Sequence, residues 1–151
     1  VLSTLHSNTA LGAIPRMKGL GMDNLTMAET LIAVISQRLV RTICPQCRES
    51  YAPSEAELKY LGIKHETTLQ RGHGCSACNN TGYLGRTLIY EILALDNDIR
   101  NMLEKDGQIY ELEELVAGKG FKTMFDNGRR KVLDGTTTVE ELRRTLGTRK
   151  Y

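Results

Sequence analysis

The sequence predicts a mixed α/β chain that carries an inserted four-cysteine lobe and ends in a small helical unit. Three observations lead there. Apolar β-branched runs alternate with helix-patterned stretches over roughly the first two thirds of the chain. Two C-x2-C pairs, Cys44-Pro-Gln-Cys47 and Cys75-Ser-Ala-Cys78, hold every cysteine present. After Asp96 the pattern is helical throughout, punctuated by Asp, Asn, Thr and Gly. At 151 residues the chain fills one ordinary core, or one core with a small appended unit.

In chain order, Val1 to Leu5 reads as a short buried strand, and Ser7, Asn8 and Thr9 offer N-caps for a helix to about Lys18. Pro15 falls inside that helix and is expected to kink or shorten it. "NLTMAETLIAVISQRL" reads as the clearest helix, with Leu25, Ala28, Leu31, Ile32, Ile35 and Leu39 on one broad stripe. Arg38 to Ile43 alternates and reads as a strand delivering the first cysteine pair. Between the pairs, Ser54 and Glu57 form a capping box for a short helix that Gly62 ends. "GRTLIYEILAL" reads as a strand with Leu88, Tyr90, Ile92 and Ala94 on one face and Ile89 and Leu93 on the other. Thr137 and Glu140 offer a further capping box in the helical end.

Composition excludes several classes. Charged residues make up 25% and the net charge is +2, too mild to argue for nucleic acid. No apolar run approaches the ~18 residues of a membrane span, and no export signal opens the chain. The reducing cytosol is the expected location, where lasting disulfides are rare. The start in an apolar segment without methionine reads as a piece cut from something longer.

Paired at tight turns, two C-x2-C knuckles aim four sulfurs at one centre, the closed tetrahedral shell of structural zinc. A redox motif needs one such pair at a helix start beside a strand, and a second pair would be redundant. The expected ligands are Cys44, Cys47, Cys75 and Cys78, with Gly82 and Gly85 allowing the chain to reverse after the second knuckle. The four thiolates outweigh the ion's charge, and Arg41, Arg48, Arg71 and Arg86 lie near enough in sequence to offset the excess. His65 and His73 lie in the same lobe as alternative ligands, but the sulfur set is complete without them. "AGKGFKT" imitates a phosphate-binding loop, yet Glu113 stands at the first-glycine position and Gly120 at the Ser/Thr position. It reads as a helix end. His6 follows the first strand directly and so lies at its carboxyl edge, where open α/β sheets bind ligands; a core or capping histidine is the alternative.

Taken together, "LSTLHSNTALGAIPRMKGLGM", "ISQRLVRTICPQCRESY", "GCSACNNTGYLGRTLIYEIL" and "GRRKVLDGTTTVEELRR" resemble the carboxyl-terminal part of the motor ATPases of type II secretion and type IV pilus assembly (GspE/PilB type). The resemblance covers essentially the whole chain, and the tetracysteine lobe is similar to the zinc subdomain of the assembly-type members. It implies a partial RecA-like core with the zinc lobe inserted and a carboxyl-terminal helical subdomain. The expected boundaries are residues 1–43 for the core portion, 44–82 for the lobe, 83–95 for a returning core strand and 96–151 for the helical subdomain. It implies that "TLHSN" is the family's His box, so that His6 lies near the γ-phosphate, and that Arg38 and Arg41 lie near the nucleotide. Ordinary salt bridging is the alternative for both arginines.

ATP and Mg2+ are implied for the full-length parent only, because the Walker A and Walker B elements are expected upstream. The implied assembly is a homo-hexamer in the cytoplasm, peripheral at the inner membrane, with a membrane platform protein and cytoplasmic membrane-anchor proteins as partners and no nucleic acid. The zinc lobe is expected to be a contact surface for neighbouring subunits or for the platform protein. A zinc-ribbon module that binds nucleic acid or protein is the rival reading.

Overall fold

The computed structural model describes residues 1–147; residues 148–151, the end of the expected helical subdomain, lie outside the described part. The chain is mixed α/β and divides into two compact units, one of residues 1–37 and 90–124, the other of residues 38–89 and 125–151. Two long strands, β1 (Ala33–Ile43) and β4 (Tyr83–Ala94), pair with each other and pass through both units. Backbone bonds from the Leu95 amide to the Ile32 carbonyl and from the Cys44 amide to the Gly82 carbonyl, at opposite ends, show the pair to be antiparallel.

The first unit is built on α1 (Ala10–Gly19), α2 (Asn24–Thr30), α4 (Asn97–Glu104) and α5 (Ile109–Gly118). Thr9 caps α1 and Asp23 caps α2, each accepting a backbone amide three residues on. Pro15 sits within α1, and the helix continues past it to Gly19. Ala10, Ile14, Met27, Ala28, Leu93, Leu95, Ile99, Leu103, Leu112 and Val116 form a continuous apolar core. The Arg100 guanidinium donates to the carbonyls of Ala28, Leu31 and Leu95, satisfying carbonyls left free at the end of α2.

The second unit holds the cysteine lobe, α6 (Met124–Leu133) from its second residue on, and α7 (Val139–Leu146). In the lobe, β2 (Arg48–Tyr51) and β3 (Leu69–Gly72) pair antiparallel, Arg48 facing Gly72 and Tyr51 facing Leu69. Between them lies α3 (Glu55–Leu61), opened by the expected Ser54–Glu57 capping box and closed by Gly62 at φ 66°. Tyr60 of α3 meets Phe125 edge-on at 5.4 Å between ring centroids, and its hydroxyl donates to the Gly147 carbonyl. Arg143 of α7 lies over the Tyr60 ring and donates to the Ala56 carbonyl. Gly128 of α6 lets Leu142 approach to where a Cβ would sit only 2.3 Å away.

Three expectations are corrected. Val1 to Leu5 form no strand: they are exposed, with no strand partner among the described residues. The long helix expected over residues 24–39 stops at Thr30, and Ala33 onward is strand. The stripe of Leu31, Ile35 and Leu39 fits a helix, but Val34 and Ile35 are β-branched and pairing with β4 decides the matter. The N-cap of α7 is Thr138 rather than Thr137, so Glu141 instead of Glu140 takes the third position of the helix. Thr137 is buried and donates to the Arg41 carbonyl.

Candidate metal centre

The two knuckles form where the chain leaves β1 and where it enters β4. Cys44 follows the last residue of β1, and Cys47 precedes β2. Cys75 opens a single 3-10 turn (Ser76–Cys78), and the left-handed residues Asn79 and Asn80 then turn the chain back. The knuckles are tied together by backbone: the Cys44 amide donates to the Gly82 carbonyl and the His73 amide to the Cys47 carbonyl. They cross at a pair of glycines. A Cβ on Gly72 would lie 2.1 Å from the Gly82 carbonyl oxygen, and one on Gly82 would lie 2.4 Å from that of Gly72. Gly82 also has φ 77°, in the left-handed region that side chains disfavour.

All four expected ligand residues converge. Cys44 Sγ lies 3.9 Å from Cys75 Sγ, Cys47 Sγ 3.8 Å from Cys78 Sγ, and Cys75 Sγ 3.8 Å from Cys78 Sγ. The four sulfurs lie within 4.8 Å of one another, and no disulfide joins them. Cys44, Cys47 and Cys78 are buried and Cys75 is partly so. The amides of Cys75 and Gly82 both donate to Cys78 Sγ at 3.2 Å. Without a cation, burial pushes the Cys47 thiol up to about 12, the neighbouring thiols adding to this against the Gly74 amide. Burial also opposes ionisation of Cys78, but the Cys75 and Gly82 amides and the Cys75 and Cys47 thiols bring it down to about 6. Such a shell holds one metal ion on four sulfurs and leaves no open position for substrate. His65 and His73 are not part of it.

Of the arginines expected to balance the sulfurs, Arg41 and Arg71 are engaged by carboxylates. Arg71 pairs with Glu49 across the β2–β3 ladder at 2.8 Å. Arg41 meets Glu141, a residue the sequence did not single out. The carboxylate of Glu141 has no exposed surface and lies between Arg41 at 2.7 Å and Arg144 at 2.7 Å. It also accepts the Arg41 backbone amide at 2.9 Å. Burial alone would raise its pKa, yet the hydrogen bonds from Arg144 and Arg41 outweigh it and bring the pKa down to about 2. Arg41 lies 4.0 Å over the Tyr83 ring, and the Tyr83 hydroxyl meets that of Thr138 at 2.6 Å. Leu39, Arg41, Arg86, Glu141 and Arg144 line an open groove of about 390 Å3.

Arg38 donates to the Thr145 carbonyl near the end of α7, so both candidate arginines reach that helix in the second unit. His6 belongs to the first unit, exposed, four residues ahead of α1. The "AGKGFKT" stretch ends α5, as expected of a helix end, and Lys119 reaches Asp96 and Asp98.

Comparison with known proteins gives the chain its relatives. The family described as Type II/IV secretion system protein matches residues 1–144. The chain is similar to the type II secretion system protein E of Pseudomonas aeruginosa, 42% identical over 95% of this chain and 29% of that protein. It is similar to the type II secretion system ATPase E of Vibrio cholerae, 36% identical over 95% of this chain and 29% of that protein. It is also similar to the type IV pilus assembly ATPase PilB of Thermus thermophilus, 38% identical over 97% of this chain and 17% of that protein. The chain thus spans less than a third of the length of these relatives. With a family match over nearly its whole length, the chain belongs to the Type II/IV secretion system protein family.

Proposed function

We propose that this chain is the carboxyl-terminal part of a hexameric motor ATPase that powers type II secretion or type IV pilus assembly. The observation that carries the reading is the coverage of 95% or more of the chain by relatives named as a type II secretion system ATPase and a type IV pilus assembly ATPase. In that reading residues 1–43 and 83–95 belong to a RecA-like core, 44–82 are its zinc lobe and 96–151 a helical subdomain. Nucleotide and Mg2+ are held by the whole parent, whose other parts supply the phosphate-binding loop and the Walker B carboxylate. The chain alone does not hydrolyse ATP.

The metal is zinc. Four sulfurs at about 2.3 Å from a central ion stand about 3.8 Å apart in a tetrahedron, the separation that the described sulfur pairs have. Zinc binding releases the protons of Cys47 and its neighbours and fixes the fold of the lobe; it supplies no catalytic step. His6 serves as the sensor of the nucleotide's γ-phosphate. Of the two arginines, Arg41 is the better placed to meet a nucleotide, because it lines an open groove with Arg86 and Arg144. The parent works in the cytoplasm against the inner membrane, on a platform protein and membrane-anchor proteins. In this reading nucleic acid is not its ligand; one face each of Tyr51, Tyr60 and Tyr83 lies against Arg71, Arg143 and Arg41, which limits stacking on that face.

The test is ATP hydrolysis by the purified full-length parent, with and without His6→Ala. The parent is expected to hydrolyse ATP and the variant to lose most of that activity. A full-length protein that binds no ATP, or one in which His6→Ala leaves the rate unchanged, would count against the nucleotide role.

A further inference from the structure

Glu91 is a buried carboxylate that neither the metal centre nor the nucleotide reading uses. It sits on the inner face of β4 beside Ile89 and Leu93 and is only 4% exposed. Its two oxygens each accept one backbone amide: Oε1 from Ala10 at 2.6 Å and Oε2 from Met124 at 2.8 Å. These are the first residues of α1 and α6. Among the described residues no cation pairs with it. One side chain thus satisfies the otherwise orphaned leading amides of two helices, where the helix dipole favours negative charge.

Capping alone does not require this arrangement. Thr9 already caps α1 by accepting the Gly12 amide at 2.9 Å. What Glu91 adds is a fixed tie between β4 and the start of α1, and Ala10 follows His6 by four residues. The intervening turn is itself braced, since the Ser7 hydroxyl donates to the Thr9 carbonyl at 2.9 Å. A shift of α1 along β4 therefore carries His6 with it. We propose that Glu91 is a positioning residue that sets the placement of His6 by holding the first amide of α1. The inference rests on the reading of His6 as a nucleotide sensor.

The experiment uses the full-length parent with three variants: His6→Ala, Glu91→Gln and Glu91→Asp. Glutamine keeps the shape but offers one acceptor oxygen and a donor NH2, so one of the two amides loses its partner. Aspartate keeps two acceptors on a shorter arm. Glu91→Gln is expected to lower kcat about tenfold or more while KM stays within about twofold, in protein that circular dichroism shows to be folded. Backbone hydrogen exchange of the peptides holding Ala10 and Met124 is expected to speed up at least about tenfold. A residue that only stabilises the fold would lower the melting temperature without the kcat loss in folded protein, and that outcome overturns the proposal. So does unchanged exchange at Ala10. If Glu91→Gln does not fold, Glu91→Asp is read by the same criteria. A wild-type rate in His6→Ala would sink the nucleotide reading itself, whereas a slow His6→Ala beside a fast Glu91→Gln sinks only the positioning role.

Discussion

At Glu141 a carboxylate with no exposed surface is held between two guanidiniums that are themselves partly in water: the Arg41 side chain is 36% exposed and that of Arg144 59%. The pair's Coulomb energy is therefore screened on the arginine side, while the carboxylate itself has no exposed surface. Its removal leaves Arg41 beside Tyr83 with no acceptor for the backbone amide that Glu141 now takes. Glu141→Ala is expected to cost about 2–3 kcal/mol in urea unfolding, below the range for a wholly buried pair because the arginines keep some hydration.

The same residue gives a pH dependence whose sign follows from its depressed pKa. A carboxyl at about 2 in the folded chain, against an ordinary value of 4.5, contributes stability that is fully present above about pH 5. That contribution is lost as the pH falls towards 2. The stability difference between the wild type and Glu141→Gln should shrink steadily over that window and be flat from pH 5 to 7. Comparing the two proteins cancels acid effects on the cysteines, which they share. A difference that grows as the pH falls would refute the arrangement. Neither Glu141 nor Glu91 was singled out from the sequence: Arg144 lies three residues from Glu141 at ordinary helix spacing, but the Arg41 and Ala10 amides that these carboxylates accept lie 100 and 81 residues away, and no local spacing marks a carboxylate that caps at such range. The cysteines were legible for the opposite reason: a closed sulfur shell needs four, and the sequence offers four at knuckle spacing.

At the scale of elements, most short-range readings survived, the cap of α7 being off by one residue, whereas the boundary that a distant strand decides did not. The cap at Ser54 and the left-handed end of α3 at Gly62 each depend on a few consecutive residues and stand where expected, and the cap of α1 falls on Thr9, one of the three residues offered for it. The boundary between α2 and β1 depends on β4, some fifty residues on, and there the helical stripe misled. The first five residues were read as a strand from composition alone, yet a strand exists only with a partner to receive its hydrogen bonds. The knuckle crossing yields an element-level prediction. Gly72→Ala places a methyl group against backbone at 2.1 Å, which no rotamer change can relieve. Overpacking typically costs about 1–3 kcal/mol, and a backbone clash belongs at the upper end. The variant should retain distinctly less zinc after dialysis than wild type, measured by elemental analysis. Gly118→Ala, at the end of α5 with nothing within 4 Å of its Cβ position, should retain the full amount.

For the molecule as a whole, the four candidate metal ligands lie in only one of the two units, so a metal ion bound there would support that unit directly. The apolar core of the first unit runs from Ala10 to Val116 and contains no cysteine. All four sulfurs belong to the second unit, whose lobe has two four-residue strands and one short helix around them. Structural zinc in small peptides contributes an apparent ~10–16 kcal/mol, and a typical domain is stable by only about 5–15 kcal/mol. If the second unit binds zinc as proposed, loss of the ion is expected to exceed what Leu61, Leu69 and Leu142 can hold together without it. Zinc chelation is expected to remove hydrogen-exchange protection in the peptides covering residues 44–82 and 125–147. Protection in those covering residues 10–30 and 97–118 should persist, because the contacts that provide it do not involve the lobe. Heating the chelated chain should then give one transition where the zinc-loaded chain gives two, or one larger one. Cys44→Ser should reproduce the chelated pattern without chelator, since a three-sulfur shell no longer closes the site. Uniform loss of protection along the whole chain would show that the first unit cannot stand without the metal, and full retention in both would show that the sulfurs hold the lobe with no ion between them.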